Sequence, residues 1–231
     1  MGHPVEAPGA YGQPWKENEL PAHEVTLPEY YLDRDEVTVG AYAEFLGEAG
    51  GDVHYHPLQP ILGRNGHYEP APGMADRPIA FVSWYDAATF CAWAGERLAS
   101  EAEWERAAAG PDGRLFPWGE DWPGCGHAVF YTGAVPCEET PQPVGSRSPA
   151  GDSAEGLHDL SGNVAEWVGD VYDRYTEDAQ DDPRGPGDGR YRVVRGGGVH
   201  EAPSSLRTTA RYAADPADRS AGVGFRCAFR P

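Results

Sequence analysis

Along "TVGAYAEFLGEAGG" apolar side chains return at Tyr42, Phe45, Leu46 and Ala49, the i, i+3, i+4, i+7 spacing of a single helix face. Thr38 stands where a capping oxygen is needed, and Gly50 with Gly51 where a helix can stop, so the pattern predicts an amphipathic helix between them. A second helix is predicted in "SWYDAATFCAWAGE", with Ser83 and Asp86 at capping-box spacing, an inner face of Ala87, Phe90, Cys91 and Ala94, and Gly95 at the stop. A third follows in "SEAEWERAAAG". There Ser100 and Glu103 repeat the box, Trp104, Ala107 and Ala108 face inward, and Gly110 terminates.

Past residue 110 the helical period fades and two-residue alternation takes over, in "RYRVVRGG" and in "VGFRCAFR". In the latter, Val223, Phe225, Cys227 and Phe229 are expected on one strand face, with Arg226 and Arg230 on the other. Cys227 and Cys91 thus both point inward. "TEDAQDDPRGPGDG", residues 176–189, is acidic and rich in Gly and Pro, which predicts a surface loop inside one domain. No internal repeat and no splitting linker is present.

Composition narrows the picture. With 231 residues and 40% hydrophobic content the chain can bury one ordinary core, and its 30 glycines and 22 prolines are scattered among aromatics, as in a turn-rich folded domain. The formal charge of −19 repels phosphate backbones and anionic membranes, which argues against a nucleic-acid partner. It leaves a solvated acidic surface or cation binding. No segment has the apolar length of a membrane span. "MGHPVEAPGAYG" lacks the basic patch and apolar run of a signal peptide, and Glu6 breaks the myristoylation pattern, so the expectation is a cytoplasmic chain or one whose leader was trimmed.

Six blocks in fixed order carry a resemblance: "ENELPAHEVTLPEYYLDRDEVTVGAYAEFL", "PIAFVSWYDAATFCAWAGERLASEAEWERAA", "FPWGE", "GLHDLSGNVAEWVGD", "VVRGGG" and "AGVGFRCA". Together they resemble the formylglycine-generating enzyme family, also called the sulfatase-modifying factor family, over nearly the whole chain. The resemblance implies an α+β fold, an irregular variant of the C-type-lectin-like fold with little regular secondary structure, as a single domain over residues 1–231.

It also implies a Cys91–Cys227 bond, against the alternative of two buried free thiols. Cys125 and Cys137 flank a turn-rich segment, where a local disulfide is plausible. Both bonds together would imply maturation in an oxidising compartment, periplasmic or secreted. The family's calcium site maps onto the Asp159 and Glu166 side chains and the Gly162 and Val164 carbonyls, the mixed hard-oxygen set a structural calcium takes.

The family's oxidases hold copper with two cysteines downstream of "RGG". Here that segment reads Val199, His200, Glu201, Ala202, Pro203, Ser204, Ser205, Leu206, without a thiolate for Cu(I). Formylglycine generation is therefore not expected. A cleft formed by Arg195, His200, Glu201, Arg207, Arg211, Tyr212 and Trp167 would instead bind a peptide, protein or small molecule. The arginines have another reading as partners of internal ion pairs. Two enzymatic alternatives stand beside binding: a histidine-bound metal at His54, His56 and His67, and oxidative tailoring that needs no cysteine.

Overall fold

The computed structural model describes residues 1–2 and 17–231; most of the stretch read for a leader lies at residues 3–16, outside the described residues. In chain order the elements are β1 (Val25–Thr26), β2 (Tyr31–Leu32), α1 (Val39–Ala49), β3 (Ile61–Arg64), β4 (His67–Pro70), α2 (Trp84–Trp93), β5 (Arg97–Leu98), α3 (Glu101–Ala109), β6 (Ala165–Val171), β7 (Gln180–Asp181), β8 (Arg192–Arg195), β9 (Arg211–Ala214), β10 (Val223–Phe225) and β11 (Cys227–Phe229). The strands form small sheets. The largest has the order β10-β6-β8-β9, with β6 parallel to β10 and antiparallel to β8. A second joins β2, β11 and β5, and the hairpin β3–β4 and the parallel pair β1–β7 complete the set. Few helices and several small sheets make up the mixed α+β arrangement that the resemblance implied.

Each helix starts where its cap was expected. Thr38 accepts from the Ala41 N–H, and Ser83 with Asp86 and Ser100 with Glu103 close reciprocal capping boxes. Gly50 ends α1 in the left-handed region at φ 76°, a conformation that costs glycine little. Two positions depart from the predicted inner faces. Ala49 and Ala94 are exposed, because each falls in the final turn or cap, beyond the last turn packed on the core; Val39 and Ala43 supply the buried face of α1 instead.

The predicted long C-terminal strand breaks at Arg226 into β10 and β11, which belong to different sheets. Phe229 is consequently exposed, with its ring 6.5 Å from Tyr31. Arg226 is drawn inward to Glu166. The main core packs α1 and α2 on β6 and β10 through Tyr42, Phe45, Phe90, Trp167 and Phe225, and a second cluster sets Trp104 of α3 against Leu160, Val168 and Val193. Cys91 is bonded to Cys227 and Cys125 to Cys137, with Cα separations of 5.6 and 5.3 Å. Among the described residues no helix is long and apolar enough to cross a membrane.

Candidate functional site

β8 carries Arg195 into the interior, and the glycines after it let the returning chain pack backbone on backbone. Gly196 and Gly197 have φ of 88° and 65°, and a Cβ on either would lie 3.0 Å from a carbonyl oxygen, of Leu160 and Ser205 respectively. Ser205 is thereby lodged against the glycine run.

Four of the seven expected binding residues lie inside. The Arg195 guanidinium donates to the Thr208, Thr209 and Ala210 carbonyls and to Glu105 at 2.5 Å, with Glu101 3.6 Å away. Burial opposes its charge, but Tyr175, Glu105 and Glu101 outweigh that and hold its pKa raised. Arg211 forks onto both oxygens of Glu101 at 2.7 Å, over the Tyr175 ring. Arg207 pairs with Glu19, and the Trp167 indole donates to the Val82 carbonyl at 3.0 Å. For the arginines internal pairing is the reading that fits. The partner acids Glu101 and Glu105 were not anticipated as buried, unlike Glu103 between them, which was expected in the capping box. They sit on α3, whose spacing announced only an apolar stripe.

His200 and Glu201 are exposed in the turn that follows, and Tyr212 is half-buried on β9. The Tyr212 hydroxyl donates to Ser205 Oγ at 2.6 Å, and Ser205 Oγ donates in turn to Glu201 Oε2 at 3.4 Å. The Glu201 carbonyl accepts the Tyr131 N–H at 2.9 Å, and Cys125–Cys137 clips the loop that presents Tyr131. Glu201 and Tyr212 are thus brought together through Ser205, with Tyr131 on the Glu201 carbonyl and His200 exposed beside Glu201 in the chain. This phenol–hydroxyl–carboxylate relay can accept and donate hydrogen bonds. It contains no soft metal ligand. A cleft of about 970 Å³ opens elsewhere, beside Leu27, Tyr30, Arg106 and Leu157, and of residues 195–212 only Thr208 and Thr209 line it.

The loop on which the resemblance places calcium turns through left-handed backbone at Asp159, Gly162 and Asn163. Asp159 Oδ2 accepts the Gly145 N–H at 2.6 Å. Glu166 already receives Arg226 on both oxygens and the Trp104 indole at 2.8 Å. A third buried carboxylate, Glu36, accepts from Asn163 Nδ2 at 2.7 Å and the Val164 N–H at 3.1 Å. Burial first, then Asp159 and Glu166, push the Glu36 pKa well up. The donors are hard oxygens in surplus negative charge, the kind of set a calcium ion takes, but both Glu166 oxygens are already engaged by Arg226 and one also by Trp104. The three histidines of the other metal reading are not gathered. His54 is bonded to Asp86, His56 stacks on Phe81, and His67 is an exposed hairpin residue beside Glu69.

Residues 5–231 match the family described as "Sulfatase-modifying factor enzyme 1-like domain". The chain is 37% identical over 223 residues to serine/threonine-protein kinase Pkn1 of Chlamydia trachomatis serovar L2, covering 91% of this chain but 35% of that kinase. It is 32% identical over 267 residues to the formylglycine-generating enzyme of Streptomyces coelicolor, covering 95% of this chain and 84% of the enzyme. The solved structure of PvdO from Pseudomonas aeruginosa superposes with a TM-score of 0.78 at 28% identity, over 99% of this chain and 89% of PvdO.

Proposed function

The chain belongs to the sulfatase-modifying factor family, and from that premise we propose that it is a recognition module that has lost the family's oxidase chemistry and binds a peptide or protein at the face of His200, Glu201, Tyr131 and Tyr212. One observation carries the reading. All four cysteines are spent in disulfides, and the loop that would hold copper offers a carboxylate, a hydroxyl and a phenol instead. Those groups suit polar contacts to a backbone or side chain, flanked by exposed Tyr131 and Val135. Similarity to a stretch covering 35% of a kinase supports a domain that can be joined to others.

Calcium belongs to this reading as a structural ion on Asp159, Glu166 and the Gly162 and Val164 carbonyls. The surplus of buried charge at Glu36, Asp159 and Glu166 supports it. Two disulfides favour maturation outside the cytoplasm. The test is metal analysis of untagged protein prepared without chelator, followed by selection from a displayed peptide library. Calcium without copper or iron is expected, together with peptides whose binding weakens at least about tenfold in His200→Ala/Glu201→Ala. Copper or iron at one equivalent, or conversion of a sulfatase-derived peptide to its aldehyde in air, overturns the proposal in favour of oxidative tailoring.

A further inference from the structure

Among the described residues the two most exposed large hydrophobics, Val53 and Leu58, stand in the loop before β3, and Leu62, 53% exposed, lies on β3 itself. None belongs to the face of His200 and Glu201. β3 and β4 form a two-stranded sheet turned by Asn65 and Gly66, both in the left-handed region at φ 54° and 75°. One face of this hairpin is anchored. Ile61 is buried in the main core, and the Tyr68 ring lies 5.5 Å from that of Tyr55, so close on Gly63 that a Cβ there would meet it at 3.0 Å. Leu62 and Arg64 alternate onto the other face, opposite Glu69 and His67. A groove of about 840 Å³ runs there, walled by Tyr55, Pro57 and Pro60 of the loop.

The edge has hydrogen bonds to offer. In a two-residue hairpin the pair nearest the turn, here Arg64 with His67, is the bonded one, so the N–H and C=O of Gly63 point away from β4. Among the described residues no other strand pairs with β3. Arg64 at the tip is exposed and, among the described residues, has no carboxylate partner, whereas Arg195, Arg207, Arg211 and Arg226 all sit on acids. A cation on an open edge deters a wholly apolar strand and admits one that carries a carboxylate in register. A second copy paired edge to edge about Gly63 would set Arg64 against Leu62 and supply no acid. We propose that β3 takes an extended segment of a partner protein as a third strand, with an apolar side chain beside Leu62 and, two positions away, a carboxylate on Arg64. The spacing follows from the pleat, because residues two apart share a face on both strands, whichever way the segment runs.

The experiment selects displayed random peptides on the full chain and counter-selects them on Leu62→Ser/Arg64→Glu, which keeps the His200 face and so removes peptides bound there. If the double variant does not fold, as judged by thermal unfolding, Arg64→Glu alone serves. The peptides kept should carry an apolar residue and an Asp or Glu two positions apart. A synthetic copy of the most enriched one should bind Arg64→Glu at least about tenfold more weakly than the parent, and should recover when its own acid is replaced by lysine. Amide exchange at Gly63 should slow when that peptide binds. A selection in which parent and variant hold the same peptides overturns the proposal and leaves the His200 face untouched. Loss on Arg64→Glu without recovery by the lysine peptide, or exchange at Gly63 unchanged by bound peptide, overturns it as well.

Discussion

A guanidinium removed from water depends wholly on what surrounds it. Arg195 has no exposed surface and is held by Glu105 and three carbonyls, so replacing it strands a buried carboxylate. Arg195→Met is therefore expected to lose about 3 to 5 kcal/mol of stability in urea denaturation. His200→Ala and Glu201→Ala, at exposed positions, should each stay within about 0.5 kcal/mol. Equal losses in both classes would show that the division into structural and ligand-facing residues is mistaken. Asp170 gives a second residue-scale outcome. It accepts the Glu101 N–H at 2.8 Å, yet burial, and then repulsion from Glu101, raise its pKa to about 7. The folded state then holds more protons than the unfolded chain between about pH 4 and pH 7, so stability falls as pH rises through that window. Asp170→Asn keeps an acceptor for the N–H without the charge. Its stability relative to the parent should grow steadily from pH 5 to pH 7.5 in denaturant titrations, by at most about 1.4 kcal/mol per pH unit; a constant difference would remove Asp170 as the cause.

At the scale of elements, the helix starts follow from chemistry within four residues, which is why they could be read from the chain. Thr38 caps α1 through a single bond of 3.2 Å, and Thr38→Ala should cost about 1 kcal/mol, measured by chemical denaturation; an unchanged midpoint would mean that packing alone sets the start of the helix. The acids of α3 lie at the other extreme. Glu105 and Glu101 are bound by Arg195 and Arg211 from 90 and 110 positions away, so no local period marks them as buried. Alternation misled in "VGFRCAFR" for the same reason. A two-residue period gives the faces of one strand, but the pull of Glu166 on Arg226 splits the segment between two sheets. The candidate site was half legible: Glu201 and Tyr212 could be named from the chain, whereas the Ser205 hydroxyl that links them and Tyr131 depend on a glycine-run packing and a clipped loop that bring distant segments together.

For the whole molecule, the two disulfides divide the labour of holding short elements in place. Cys91–Cys227 ties α2 to β11 across 136 positions and lies wholly within the core, whereas Cys125–Cys137 closes a loop of 12 positions, with Cys125 at the surface. Chain entropy makes the longer closure worth about 5 kcal/mol and the shorter about 3 kcal/mol, provided neither is strained. Alanine pairs at each bridge should lower stability in that order. Reductant should act in the opposite order, because a thiolate must reach a sulfur to attack it, and Cys125 is the accessible one. Timed alkylation and mass analysis under graded reductant should therefore find Cys125 and Cys137 labelled first, while the fold is still intact. Only Cys125–Cys137 braces the loop that presents Tyr131 beside Glu201. Mild reduction is thus expected to weaken peptide binding before it lowers the unfolding midpoint, and simultaneous loss of both would mean that the recognition face is braced by the core rather than by its own clip.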